Sequence, residues 1–180
     1  MYQLVRKTLE VYLQEKRIIT LSDISQELIV YSTKKDAVFV TLYYQGKVIA
    51  SSGRISCKKE NSLFECIDNS LLCLKDPRFL WEIQTVEMLS QVRIRVDIFS
   101  PQNRRVLQTI DDLDTTREGV IFLSQTMWVL SVILPHMVHV NSSANAYFEL
   151  ACKKANVDPH TLQKSDYVLY GLSTESSSDF

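Results

Sequence analysis

Glycine is scarce in this chain. Its 180 residues hold four glycines, with four prolines, four cysteines and three histidines. A P-loop or a dinucleotide fingerprint needs several glycines close together and a helix starting directly after them, and no stretch here provides that. The cysteines, Cys57, Cys66, Cys73 and Cys152, show no C-x-x-C spacing and read as reduced thiols; Cys66 and Cys73 share one helical face and read as core residues. His136 and His139 are three apart, but with only His160 besides them no third ligand presents itself, so no metal and no cofactor is expected.

Long apolar runs are also missing. The longest, Met127 to Pro135, falls far short of the about 20 residues a membrane helix needs and reads as a buried strand. The first residues are charged throughout, without an apolar h-region or a small-residue cleavage site, which signals neither secretion nor import and leads to the expectation of a cytoplasmic protein. Net charge is −1, and Lys34-Lys35, Lys58-Lys59 and Lys153-Lys154 are isolated pairs with no interleaved aromatics. Neither nucleic acid nor anionic membrane is therefore an expected partner.

What is present is patterned. An apolar content of 46% suits one compact domain or two lobes. Val5, Leu9, Tyr12 and Leu13 predict an amphipathic helix, followed by a polar, irregular surface segment up to Asp36. The run AVFVTLYYQGKVIASSG predicts a hairpin turning at Gln45-Gly46. Ser62-x-x-Glu65 has the form of a capping box at the head of a helix that stops before Pro77. Strict alternation from Gln91 to Ser100 predicts a half-buried strand, with Arg93, Arg95 and Asp97 on its polar face.

Short strands fit RRVLQTI, GVIFLS, MWVLSVIL and DYVLYGL, and Ala144 to Ala155 carries a second clear helical repeat. The cluster Asp111, Asp112, Asp114 and Glu118 reads as a solvated acidic turn, since it lacks the glycine and spacing of an EF-hand. The fold class is α+β, a mainly antiparallel sheet flanked by helices. Residues 1–172 are expected to form one domain and 173–180 a mobile polar tail.

The order of these blocks resembles the AMMECR domain family, whose bacterial and archaeal members are also called AmmeMemoRadiSam system protein A. AVFVTLYYQGKVIASSG is similar to the family's GVFVTL and G-x-L-R-G-C-I-G, LKDPRF to F-x-D-P-R-F, VRIRVDIFSP to L-x-I-E-V-S-V-L-S-P, and AYFELACKKANV to F-L…C-x-K-A-G-L. The resemblance implies a two-lobed α+β domain. It puts the signature Arg-Gly-Cys-Ile-Gly on Ile49, Ala50, Ser51, Ser52 and Gly53, where only the glycine is kept. It puts the family's strand glutamate on Arg95 and a glutamine on His136, whereas Asp76, Pro77, Arg78 and Phe79 match in full.

The scaffold is thus expected to be kept and the polar site rewritten. The resemblance implies that Ser51, Ser52, Gly53 and Arg54 line an inter-lobe cleft. Two readings of that turn stay open: a polar turn closing a strand, or a turn presenting N–H groups and a guanidinium to an anion. Asp76 and Arg78 likewise read either as a structural clamp or, with Arg78 beside Arg54 and Arg95, as part of a site for an acidic ligand. Ser51 with His136 and Asp97 invites comparison with a hydrolytic triad, but no nucleophile-elbow motif supports it. The expected function is that of a noncatalytic binding or interaction module. The alternative is an enzyme or accessory subunit acting with Memo-like and radical-SAM partners on a small anionic substrate.

Overall fold

The helical spacing near the N-terminus is realised as helix α1 (Tyr2–Glu15) in a computed structural model that describes residues 1–79, 83, 85–136 and 143–180. There follow β1 (Ala37–Tyr44), β2 (Lys47–Gly53), α2 (Ser62–Cys73), α3 (Val86–Leu89), β3 (Arg93–Phe99), β4 (Arg104–Leu107), β5 (Glu118–Ser124), β6 (Leu130–Ile133), α4 (Ala144–Lys154), β7 (Tyr167–Ser173) and β8 (Glu175–Ser178). The strands form two antiparallel four-stranded sheets, ordered β2-β1-β3-β8 and β4-β7-β5-β6. This is the expected α+β class. The chain divides into two compact units, residues 1–101 with 175–180, and residues 102–174. No helix among the described residues is long and apolar enough to cross a membrane.

In the first unit, Gln45 and Gly46 take positive φ (50° and 76°), as a two-residue turn matched to the twist of β1 and β2 requires. A register shift between Leu42 and Tyr43 leaves Ile49 as the extra residue of β2. Alternation along the strands then sorts the side chains. Val38, Val40 and Leu42 of β1, Ala50 of β2 and Ile94, Val96 and Ile98 of β3 join Val5 and Leu9 of α1 and Leu63, Cys66 and Ile67 of α2 in one buried apolar cluster. The other face of the sheet carries Phe39, Thr41, Ser51, Gly53, Arg95 and Asp97.

In the second unit, Leu107, Val120, Phe122, Ile133 and Leu169 pack with Tyr147, Ala151 and Cys152 of α4. The Ser131 hydroxyl donates to the Ala151 carbonyl at 2.7 Å, tying β6 to α4.

Five expectations are corrected. The polar C-terminal end is not a mobile tail: β8 pairs with β3, Arg95 opposite Ser178 and Asp97 opposite Ser176. The charged neighbour of that strand is what holds it, because Asp179 accepts from Arg6 and from the Ile94 amide. The cap of α2 is Asn61, whose side chain accepts from the Phe64 amide at 3.0 Å, while the Ser62 hydroxyl bonds the backbone of Asp36.

Both faces of β3 are buried, since Arg95 is 6% exposed and Asp97 0%. The apolar run at Met127 yields a strand only from Leu130, with Met127 and Trp128 exposed in the preceding turn. Glu118 of the acidic stretch is buried rather than solvated, bound bidentately by Arg105 at 2.8 and 2.7 Å over the open face of Gly171. His139 lies outside the described residues.

Candidate functional site

Edge strand β2 ends in Ser51, Ser52 and Gly53, and each has a different structural partner within the first unit. Ser51 sits opposite Thr41, their hydroxyls 3.4 Å apart. Its backbone N–H points away from the sheet and donates to Oδ2 of Asp76 at 3.0 Å. Asp76 is delivered there because α2 ends at Cys73 and Pro77 forbids its continuation.

The same carboxylate takes three bonds from Arg78: the backbone N–H at 2.9 Å, Nε at 3.0 Å and Nη2 at 2.6 Å. The Arg78 guanidinium, with the Ser51 and Arg78 amides, holds the Asp76 carboxyl down to about 2. Asp76 and Arg78 therefore form the clamp, and the clamp grips the backbone of the small-residue turn.

The Ser52 hydroxyl donates to Oδ1 of Asn69 at 3.0 Å, and Asn69 in turn donates to the Val38 carbonyl at 3.1 Å. Gly53 lies opposite Phe39, where an added Cβ would stand 2.2 Å from the ring. The glycine is required by close approach of that ring.

Arg54 bridges two carboxylates of α2, Glu65 at 2.8 Å and Asp68 at 2.9 Å, and Asp68 also meets Lys59 at 3.0 Å. Glu65 is fully buried. Burial alone would raise its carboxyl, but Arg54 and the amides of Lys58 and Lys59, at 2.8 and 2.9 Å, outweigh that and hold it below the usual range. One carboxylate thus organises the whole connection from β2 to α2.

Arg95 and Asp97 alternate on β3 and so share a face, where Nε and Nη2 of Arg95 bind the two carboxylate oxygens at 2.8 and 2.7 Å. A charge pair this deeply buried is tolerated only with such geometry.

The three arginines singled out in the sequence each carry a carboxylate partner of their own, Arg54 two of them. Thiol chemistry is equally muted: burial pushes the Cys66 and Cys73 thiols up to about 12, Cys73 further helped by the Asp76 charge, so neither supplies a thiolate near neutral pH. Among the described residues no group of three or more His, Cys, Asp or Glu is placed to hold a metal. His136 belongs to the second unit, exposed, at φ 54° after Pro135.

Thr41, Asn69 and Asp68 complete the network and were not legible as site residues. The available signal was Asn69 and Ser70 interrupting the apolar face of α2, where both are fully buried.

The profile of the AMMECR1 family matches residues 2–176 of the chain. The crystal structure of an uncharacterized protein from Pyrococcus horikoshii superposes with a TM-score of 0.79 at 17% sequence identity, covering 97% of this chain and 87% of that one. No curated protein matches. With almost its whole length matched by one family, and with the helices and antiparallel sheets described above, this chain belongs to the AMMECR1 family.

Proposed function

We propose that the protein is a noncatalytic binding or interaction module whose Ser51–Gly53 turn has become a structural element. The observation that carries this reading is the engagement of the turn itself: the Ser51 amide is held by Asp76, the Ser52 hydroxyl by Asn69 and the Gly53 surface by Phe39. A serine nucleophile needs a base at its oxygen, and the Ser51 hydroxyl lies 3.4 Å from another hydroxyl, that of Thr41. The four free cysteines, three of them buried, support action in the reducing cytoplasm. By family association, the partners we propose are a Memo-like protein and a radical-SAM protein of the AmmeMemoRadiSam system.

Native mass spectrometry of freshly purified protein tests the reading. The mass of the polypeptide alone is expected, and Ser51→Ala is expected to leave complex formation with co-expressed Memo-like or radical-SAM protein unchanged. A reproducible extra mass of a small anion, lost on Arg54→Ala or Arg78→Ala in folded protein, would instead make the turn part of a ligand site and favour the enzyme reading.

A further inference from the structure

In the second unit, edge strand β4 leaves its neighbour early. Its pairing with β7 ends at Leu107 opposite Leu169, whereas β7 pairs with β5 as far as Tyr167 opposite Ser124. The cause lies in the acidic turn: Oδ2 of Asp112 accepts the amides of Gln108 at 3.0 Å and Thr109 at 2.9 Å, which draws the chain off the sheet. Where β4 would have continued there is a cavity of about 340 Å³, walled by Val106, Leu107, Ile110, Tyr167 and Val168.

The vacated edge offers hydrogen bonds. The Ser124 amide donates to the Val129 carbonyl, away from β7, and the Gln125 amide donates to the Asp166 carbonyl. Hydrogen-bonding sides alternate along an antiparallel strand, so Asp166 and Val168 face β5, and Tyr167 turns its N–H and C=O towards the cavity. Thr109, the residue that would stand opposite, is engaged elsewhere: its amide is on the Asp112 carboxylate and its carbonyl on the Asp112 amide.

Charge and direction identify the occupant. Lys164 is the charged residue of the cavity lining, and it has no carboxylate partner among the described residues. It sits in the turn Lys164–Asp166, just before β7. The nearest acidic groups are already engaged, Asp112 as above and Asp166 by the Gln163 amide at 2.8 Å. Because β4 runs antiparallel to β7, a strand following its path would arrive at Lys164 with its carboxyl end. An open backbone edge, apolar walls and a cation at the far end are what capture of an extended chain terminus requires.

We propose that this cavity binds the C-terminal end of an extended peptide with an apolar last residue. That residue lies opposite Tyr167, donates its N–H to the Tyr167 carbonyl and places its carboxylate between the Tyr167 N–H and the Lys164 ammonium, with its side chain against the apolar walls. The inference goes beyond the interaction-module reading by naming a ligand class, and it stands independently of the Ser51 turn.

Two-dimensional amide NMR spectra of the full chain test it, titrated with acetyl-Ala-Val-Leu bearing a free carboxylate, with the same peptide capped as the C-terminal amide, and with acetate. Saturable shifts are expected at the amides of residues 108–110 and 167–169 with the free acid. The capped peptide should bind about 10-fold more weakly, the effect of losing a charge-assisted contact. Lys164→Met, an exposed substitution whose fold the same spectra check, should weaken the free acid equally and leave the capped peptide unchanged. Absence of shifts at these amides with millimolar peptide, or equal binding of the acid and amide forms, would overturn the proposal. So would shifts that acetate alone reproduces, which would assign the cavity to a small free anion.

Discussion

Oδ2 of Asp76, three residues beyond the end of α2, accepts the backbone N–H of Ser51 on edge strand β2 at 3.0 Å. The bond reads the backbone and is indifferent to the side chain at that position. It holds a serine here as it would hold any residue but proline. Arg78 completes the arrangement by fixing the carboxylate from the other side.

The first prediction concerns acid. Because Asp76 is held down to about 2, from an ordinary 3.8, it contributes stability that is complete above about pH 4 and is lost as pH falls through its folded-state value. Asp76→Asn is expected to cost about 1–3 kcal/mol at neutral pH. It should also flatten the fall in stability between about pH 4 and 2, as followed by thermal denaturation. An unchanged acid limb would contradict this role.

Gly53→Ala tests the close approach of Phe39. With the ring 2.2 Å from the position of an added Cβ, the ring or the strand must shift. A loss of about 1–3 kcal/mol is expected in chemical denaturation, relieved in part by Phe39→Leu in the same background. Neutral behaviour of Gly53→Ala would show that β2 has room to move.

The fold was readable wherever one face of an element met water. The apolar stripe of α1 and the repeat of α4 declared themselves for that reason, and the hairpin did so by its Gln45-Gly46 turn between two β-branched and aromatic runs. β8 did not, because serine-rich Glu175–Ser178 has neither apolar alternation nor β-branched residues; what holds it is ladder pairing and the reach of Asp179 to Arg6, separated by almost the whole sequence. Likewise Arg95 and Asp97 alternate like solvent-facing residues, and only the structure shows that they are buried and satisfy each other. Of the candidate site, the pairing of Asp76 with Arg78 was one of two open readings. The capture of Arg54 by Glu65 and Asp68 depends on how α2 lies against the turn, which spacing alone does not encode.

The C-terminal strand yields a third prediction. Truncation after Thr174 removes β8 from the ladder and strips Arg6 and the Ile94 amide of Asp179. Hydrogen exchange should then accelerate along β3, and stability should fall by more than the about 1–3 kcal/mol expected of Asp179→Ala alone. If truncation leaves exchange along β3 unaltered, the strand is not an integral part of the sheet.

Thiol reactivity gives the fourth. Cys66 and Cys73, pushed up to about 12 by burial, stay neutral in the folded protein past the point where they ionise in the unfolded chain. Their contribution is complete below about pH 8.5 and is lost as pH rises towards the folded values. Iodoacetamide at pH 8 should label Cys57, the one thiol that is not buried, well ahead of the others, with all four labelled in denaturant. Prompt native labelling of Cys73 would contradict its burial beside Val40.

The most direct test of the central claim, that the Ser51 turn is structural and holds no activated nucleophile, is fluorophosphonate labelling read by intact-mass and peptide mass spectrometry. The account predicts no adduct on Ser51, with wild type and Ser51→Ala indistinguishable. Stoichiometric modification of Ser51 in native protein, absent after denaturation and absent in Ser51→Ala, would contradict it and make this serine a nucleophile.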